Sequence, residues 1–160
     1  MLVDSHCHLQ DPKFGRDVDD VVRRATDAGV TAMVLVGYDM PSSRRAVEIA
    51  DSFANVYAAI GVHPHDAKTL RPADIEELAR MADSSRVVAI GEIGLDLYRN
   101  LSPRDEQDHA FQAQLELARS LRLPVVIHSR DADDETYAVL ADYAQVARAD
   151  WPQERPLGVM

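Results

Sequence analysis

The 160-residue chain contains a single cysteine, Cys7. A disulfide framework is therefore excluded, and a reducing cytoplasm is the expected compartment. Also missing is any apolar run of the ~18–20 residues that a membrane-spanning helix requires. The opening Met1-Leu2-Val3-Asp4 lacks the charged and apolar regions of a secretory signal, so no membrane association is expected. Positive charge is scarce: 17 Lys and Arg stand against 27 Asp and Glu, for a net charge of −10. That balance speaks against a broad basic footprint for nucleic acid, because non-specific binding rests on Lys and Arg neutralising phosphates. It leaves room for an enzyme that cleaves nucleic acid, since acidic metal ligands add to the count and bound cations reverse the local field. Low-complexity tracts, linkers and short repeats are absent, and neither Trp151 nor the tyrosines show a spacing that reads as a platform for nucleobases.

What is present is a rhythm of short β-branched apolar runs alternating with longer stretches of helical period. Strands are expected at Leu2–Asp4, Val30–Gly37, Val56–Val62, Val87–Ile90 and Pro124–His128, with a last one starting at Pro156–Met160. Between them lie amphipathic helices at about Asp17–Ala28, Ser42–Phe53, Pro72–Ala82, Pro103–Leu121 and Asp133–Ala147. Pro72 and Pro103 suit a first helical turn, Ser102 suits an N-cap, and Gly29 suits a helix end. In the fourth helix Phe111, Leu115, Ala118 and Leu121 share one face. The run Ala32-Met33-Val34-Leu35-Val36 is apolar without alternation, as in a parallel strand buried on both faces.

Such alternation means right-handed βαβ units. The chain length fits one domain. A doubly wound sheet and a (β/α)8 barrel of the TIM type both fit the rhythm, but no Gly-rich phosphate fingerprint follows the first strand. Closed barrels take about 250 residues. Residues 1–160 are therefore expected to form a single incomplete barrel domain of about five βα units plus the start of a sixth strand.

Chemistry-bearing residues recur at the C-terminal ends of these strands, where barrel active sites form. Asp4-Ser5-His6-Cys7-His8 ends the first. Residues two apart on a strand share a face, so His6 and His8 can converge on one cation. Gly61-Val62-His63-Pro64-His65 ends the third and offers two more imidazoles, to hold an anionic substrate or to shuttle a proton. After the fourth comes Gly91-Glu92-Ile93-Gly94-Leu95-Asp96. A carboxylate so close to a buried strand needs a partner or a metal, Glu92 can bridge two cations, and the glycines let backbone come close. Asp96 is a candidate acceptor or base. At the fifth, His128 and Arg130 combine an imidazole with a guanidinium that grips phosphate or carboxylate. His109, among polar helix residues, reads as a solvated position.

Taken together, Asp4–Leu9, Gly61–His65, Gly91–Asp96 and the run Leu123-Pro124-Val125-Val126-Ile127-His128-Ser129-Arg130-Asp131 resemble the motifs of the TatD-related deoxyribonucleases. These are metal-dependent hydrolases of the amidohydrolase-like barrel type. The resemblance implies metal ligation by His6, His8, Glu92 and His128, with Glu92 shared between two divalent ions (Mg, Mn or Zn) and serving as the catalytic residue. It also implies hydrolysis of phosphodiester bonds in DNA, for which His63, His65, Asp96 and Arg130 are the candidate substrate contacts. The family's pattern continues with a metal-binding His after the sixth strand and an Asp after the eighth. The 160-residue chain alone is accordingly expected to have little activity and to self-associate through an open barrel edge. Two other readings stay open: a barrel hydrolase of amide or ester bonds, including deacylation of misacylated tRNA, and a non-catalytic half-barrel.

Overall fold

Helix and strand boundaries follow from local chemistry. The computed structural model describes residues 1–149, 151–152 and 154–160. Its strands are β1 (Leu2–Cys7), β2 (Val30–Val36), β3 (Val56–Ile60), β4 (Val87–Asp96), β5 (Val125–Arg130) and β6 (Gly158–Val159); its helices are α1 (Val18–Asp27), α2 (Met40–Ser52), α3 (Pro72–Met81), α4 (Arg104–Leu121) and α5 (Asp133–Ala147). Short 3₁₀ turns cover Pro12–Phe14 and Pro64–Thr69. At the start of α2, Asp39 accepts the Ser42 N–H at 2.7 Å while the Ser42 hydroxyl accepts the Asp39 N–H, a reciprocal capping box that satisfies two donors the helix cannot. Gly29 follows α1 with φ 94°, in the conformation expected after a helix end.

The six strands are parallel and lie in sequence order, β1-β2-β3-β4-β5-β6. They curl into a half-barrel with helices against one face, which bears out the expected barrel-type architecture of five βα units and a sixth strand. Side chains alternate between the two faces. Leu35, Ile60, Ile90 and Ile127 join the helices in the main core, whereas Val36, Ala59, Ala89 and Val126, their neighbours in sequence on β2–β5, form a separate cluster on the other face.

Several boundaries differ from expectation, for physical reasons. β4 does not stop at Ile90 but runs ten residues to Asp96, so Glu92 lies within a strand rather than a loop. Gly91 and Gly94 make this extension possible. A Cβ on Gly94 would lie 2.0 Å from the His128 carbonyl oxygen, and one on Gly91 would lie 2.6 Å from the Val126 side chain. β4 thus presses onto β5 closely enough to pair Gly94 with His128 and Asp96 with Arg130. β3 is shorter than expected because Gly61 and Val62 bond to helix side chains instead of strand neighbours. Ser102 is not the N-cap of α4, where Pro103 stands; its hydroxyl donates to the His65 carbonyl at 2.8 Å.

Candidate metal centre

The ends of β1, β3, β4 and β5 converge, and each key side chain is set by identifiable bonds. His8 Nδ1 lies 2.8 Å from the Val36 carbonyl oxygen, a contact in which the ring must donate. Nε2 therefore carries the free lone pair, the arrangement that suits a metal ligand. The buried Gln10 amide donates to the same carbonyl at 2.6 Å, and its Oε1 has no protein partner. The His6 and His8 rings meet edge to face at 5.0 Å.

The segment that carries His63 is fastened from two helices. Ser43 of α2 bonds both the N–H and the C=O of Gly61, each at 3.0 Å. Gln114 of α4 accepts the Val62 N–H at 2.7 Å and donates to the Val62 carbonyl at 3.0 Å. One turn pair earlier on the same helix, Gln107 accepts the Asp96 N–H at 2.8 Å and donates to the Asp96 and Ser102 carbonyls. Both glutamines are essentially solvent-free, Gln114 at 0% and Gln107 at 1% exposure, so α4 sets the backbone with buried amides at Asp96 and at Val62, next to His63. Sequence reasoning missed both, along with Ser43. The available signal was polar residues seven apart, at positions 107 and 114, on the face that also carries Phe111 and Ala118.

Glu92 sits between two groups of imidazoles. Its Oε2 lies 3.5 Å from His6 Nε2, and its Oε1 lies 3.0 Å from His128 Nδ1. Ligand atoms of His6, His8 and Glu92 come within 4.8 Å of one another, as do those of His63, Glu92 and His128. Burial works to raise the Glu92 carboxyl, but the His128 hydrogen bond and the electrostatic pull of the surrounding imidazoles prevail and hold it below the ordinary value, so it is ionised and ready to ligate. The His128 ring is raised by Glu92 first, against burial, with Asp96 adding to the effect.

Asp96 is fully buried and shares its Oδ2 between His65 Nε2 at 2.6 Å and His128 Nε2 at 3.3 Å. Burial opposes its ionisation, yet the Arg99 N–H and the two rings bring it down to about 2. His63 behaves differently from His8. Its Nδ1 accepts the His65 N–H at 3.1 Å, so the neutral ring carries its proton on Nε2 and presents a donor rather than a lone pair. Burial and then the neighbouring His128 push it down to about 4, which keeps it neutral near pH 7. Cys7, beside the histidines, is pushed up to about 12 by burial and by Asp4, which leaves it a protonated thiol rather than a ligand.

The structure brings His6, His8, His63, His65, Glu92, Asp96 and His128 together. Arg130 lies at the rim, exposed, with its guanidinium over the Tyr98 ring. His109 is exposed on α4, away from this group, as the sequence suggested. Among the described residues no helix is long and apolar enough to cross a membrane.

Comparison with known proteins agrees with this arrangement. Residues 3–149 match the family described as TatD related DNase. The chain is 42% identical over 144 residues to the 3′-5′ ssDNA/RNA exonuclease TatD of Klebsiella pneumoniae, covering 90% of this chain and 55% of that protein. It is 38% identical over 142 residues to the metal-dependent hydrolase YabD of Bacillus subtilis, covering 89% and 56%. The crystal structure of YJJV, a TatD homologue from Escherichia coli, superposes with a TM-score of 0.82 at 31% identity over 89% of this chain and 56% of that one. The chain thus spans about half the length of the curated relatives it matches. From Val3 to Ala149, through every strand end that carries a candidate metal-ligating side chain, the chain belongs to the TatD related DNase family.

Proposed function

We propose that residues 1–160 are one incomplete barrel domain that contributes most of a two-cation centre to a hydrolase of phosphodiester bonds in single-stranded nucleic acid. The observation that carries this reading is Glu92, whose two carboxylate oxygens face separate imidazole groups, His6 on one side and His128 on the other. The donor set fits divalent cations. Mixed imidazole and carboxylate suits zinc, manganese or another borderline ion, Glu92 is ionised, and His8 has its Nδ1 already occupied. His6, His8 and Glu92 would hold one ion, and Glu92 with His128 would hold part of a second. The chemistry that bound cations supply in such a site is a nucleophilic water near neutral pH and neutralisation of charge on the phosphodiester.

The chain's own residues do the rest. The neutral His63 donates its Nε2–H to a phosphate oxygen. Arg130 pairs with a phosphate at the rim. Asp96 holds the His65 ring and one side of the His128 ring, fixing the direction in which His128 presents its other nitrogen. The carboxylates that raise His128 favour its protonated form, and a proton competes with a metal for the ring, so metal binding by this residue weakens as pH falls.

The relatives named as exonucleases act on single-stranded DNA and RNA, which favours nucleic acid over the amide or ester substrates that the same cradle can serve. The test uses the whole barrel that contains residues 1–160: a labelled single-stranded oligonucleotide incubated with manganese or magnesium, beside a panel of amide, ester and aminoacyl-tRNA substrates. Metal-dependent release of nucleotides that Glu92→Ala removes supports the proposal. Turnover of the panel with phosphodiesters left intact contradicts it.

A further inference from the structure

At the rim, beyond the ligand residues, Tyr98 stands two residues past Asp96 and Arg130 two residues past His128. The β4–β5 register pairs Asp96 directly with Arg130. The loop that carries Tyr98 is held from both ends. The Leu97 N–H donates to the Arg130 carbonyl at 3.0 Å, and the Arg99 and Asn100 N–H groups donate to Asp96 at 2.7 and 3.3 Å. On this fixed base the Tyr98 ring is 63% exposed. The Arg130 guanidinium lies 4.3 Å from its centroid, covering one ring face. Among the described residues Arg130 has no carboxylate partner, although the chain carries a net charge of −10. A large exposed aromatic and an unpaired guanidinium thus meet beside the cluster of Glu92, Asp96 and His128.

We propose that Tyr98 and Arg130 form a single step of a nucleic-acid track. Tyr98 stacks one nucleobase of a single strand, and Arg130 neutralises the phosphate next to it. This rests on the nuclease reading above and adds to it the residue that recognises a base. The chemistry is sequence-tolerant, because every base offers a π-face to an aromatic ring. It also reconciles an acidic chain with a polyanionic ligand: the positive charge is placed at one point on the rim, and stacking supplies the remainder.

The test is a comparison of two strands of equal charge, one bearing bases and one abasic throughout. Both are fluorescein-labelled, carry phosphorothioate linkages to resist hydrolysis, and are titrated by anisotropy with manganese present. Tyr98→Leu is expected to weaken the base-bearing strand about tenfold, the size of one base–aromatic stack, and to leave the abasic strand unchanged. Tyr98→Phe retains the affinity. Arg130→Gln weakens both strands alike and lowers the salt slope by about one. If Tyr98→Leu changes neither strand, or changes both equally, the platform is overturned while the nuclease reading stands. If the unchanged chain binds neither strand, both fall. Circular dichroism of each variant controls for folding, which substitution of so exposed a residue leaves intact.

Discussion

Replacing Gln114 by Leu tests whether α4 holds the site through its buried amides. The side chain is solvent-free and bonds both backbone groups of Val62, at 2.7 and 3.0 Å, next to His63. Leucine is a little shorter, of similar volume, and makes neither bond, so the Val62 N–H and C=O lose these partners where water has no access. Each buried group left unpaired costs about 1–3 kcal/mol. The added apolar burial of Leu offsets on the order of 1–2 kcal/mol of that. The expected net loss is about 3 kcal/mol, a large share of the ~5–15 kcal/mol that holds a typical domain together. Urea denaturation followed by circular dichroism reads this as a lower midpoint with an unchanged slope. Glu116→Gln, an exposed change on the same helix at the pair with Arg119, is the control and should move stability by less than about 0.5 kcal/mol. A Gln114→Leu loss below about 1 kcal/mol would mean that Val62 finds other partners and that α4 does not hold it.

Other outcomes follow from the same contacts. Gly94→Ala places a Cβ 2.0 Å from the His128 carbonyl oxygen; it should destabilise by about 3 kcal/mol or more and give insoluble protein or a sharply lower thermal midpoint. Asp39→Ala removes the acceptor for the Ser42 N–H and should cost about 1 kcal/mol, measurable in the same denaturation assay. At the β1 edge Leu2 and Val3 are 61% and 55% exposed, so the chain should associate as its concentration rises, and Leu2→Lys with Val3→Lys should reduce its mass by light scattering. An unchanged mass for that double variant would place any association elsewhere.

The placement of the chemistry was legible in the sequence because it follows strand ends. His6, His8, His63, Glu92 and His128 each terminate an apolar run, and parallel βα units put all such ends on one rim. The length of β4 was not legible. Gly91 and Gly94 read as loop punctuation, whereas they are the sites where β4 lies against β5 too closely for any side chain. Gln107, Gln114 and Ser43 were missed for a related reason: polar residues on a helix read as solvent-facing until the backbone groups they satisfy are known. Ser102 has the residue type and position of a helix cap, but the nearby His65 carbonyl takes its hydroxyl instead. The roles of His63 and His8 diverge through single hydrogen bonds to Nδ1, one accepted and one donated, which no spacing encodes. Tyr98 stood unmarked among five tyrosines, and only its exposure and its contact with Arg130 distinguish it.

Glu92 is proposed to be shared by two metal ions. The direct measurement is a calorimetric titration of the chain with manganese or zinc, with bound metal counted by elemental analysis. Binding is expected at His6, His8 and Glu92 and, beside it, at Glu92 and His128, with both weakened together by Glu92→Ala and only one weakened by His8→Ala. Metal binding that survives Glu92→Ala at full stoichiometry, or that is lost one ion at a time from that single substitution, would contradict it.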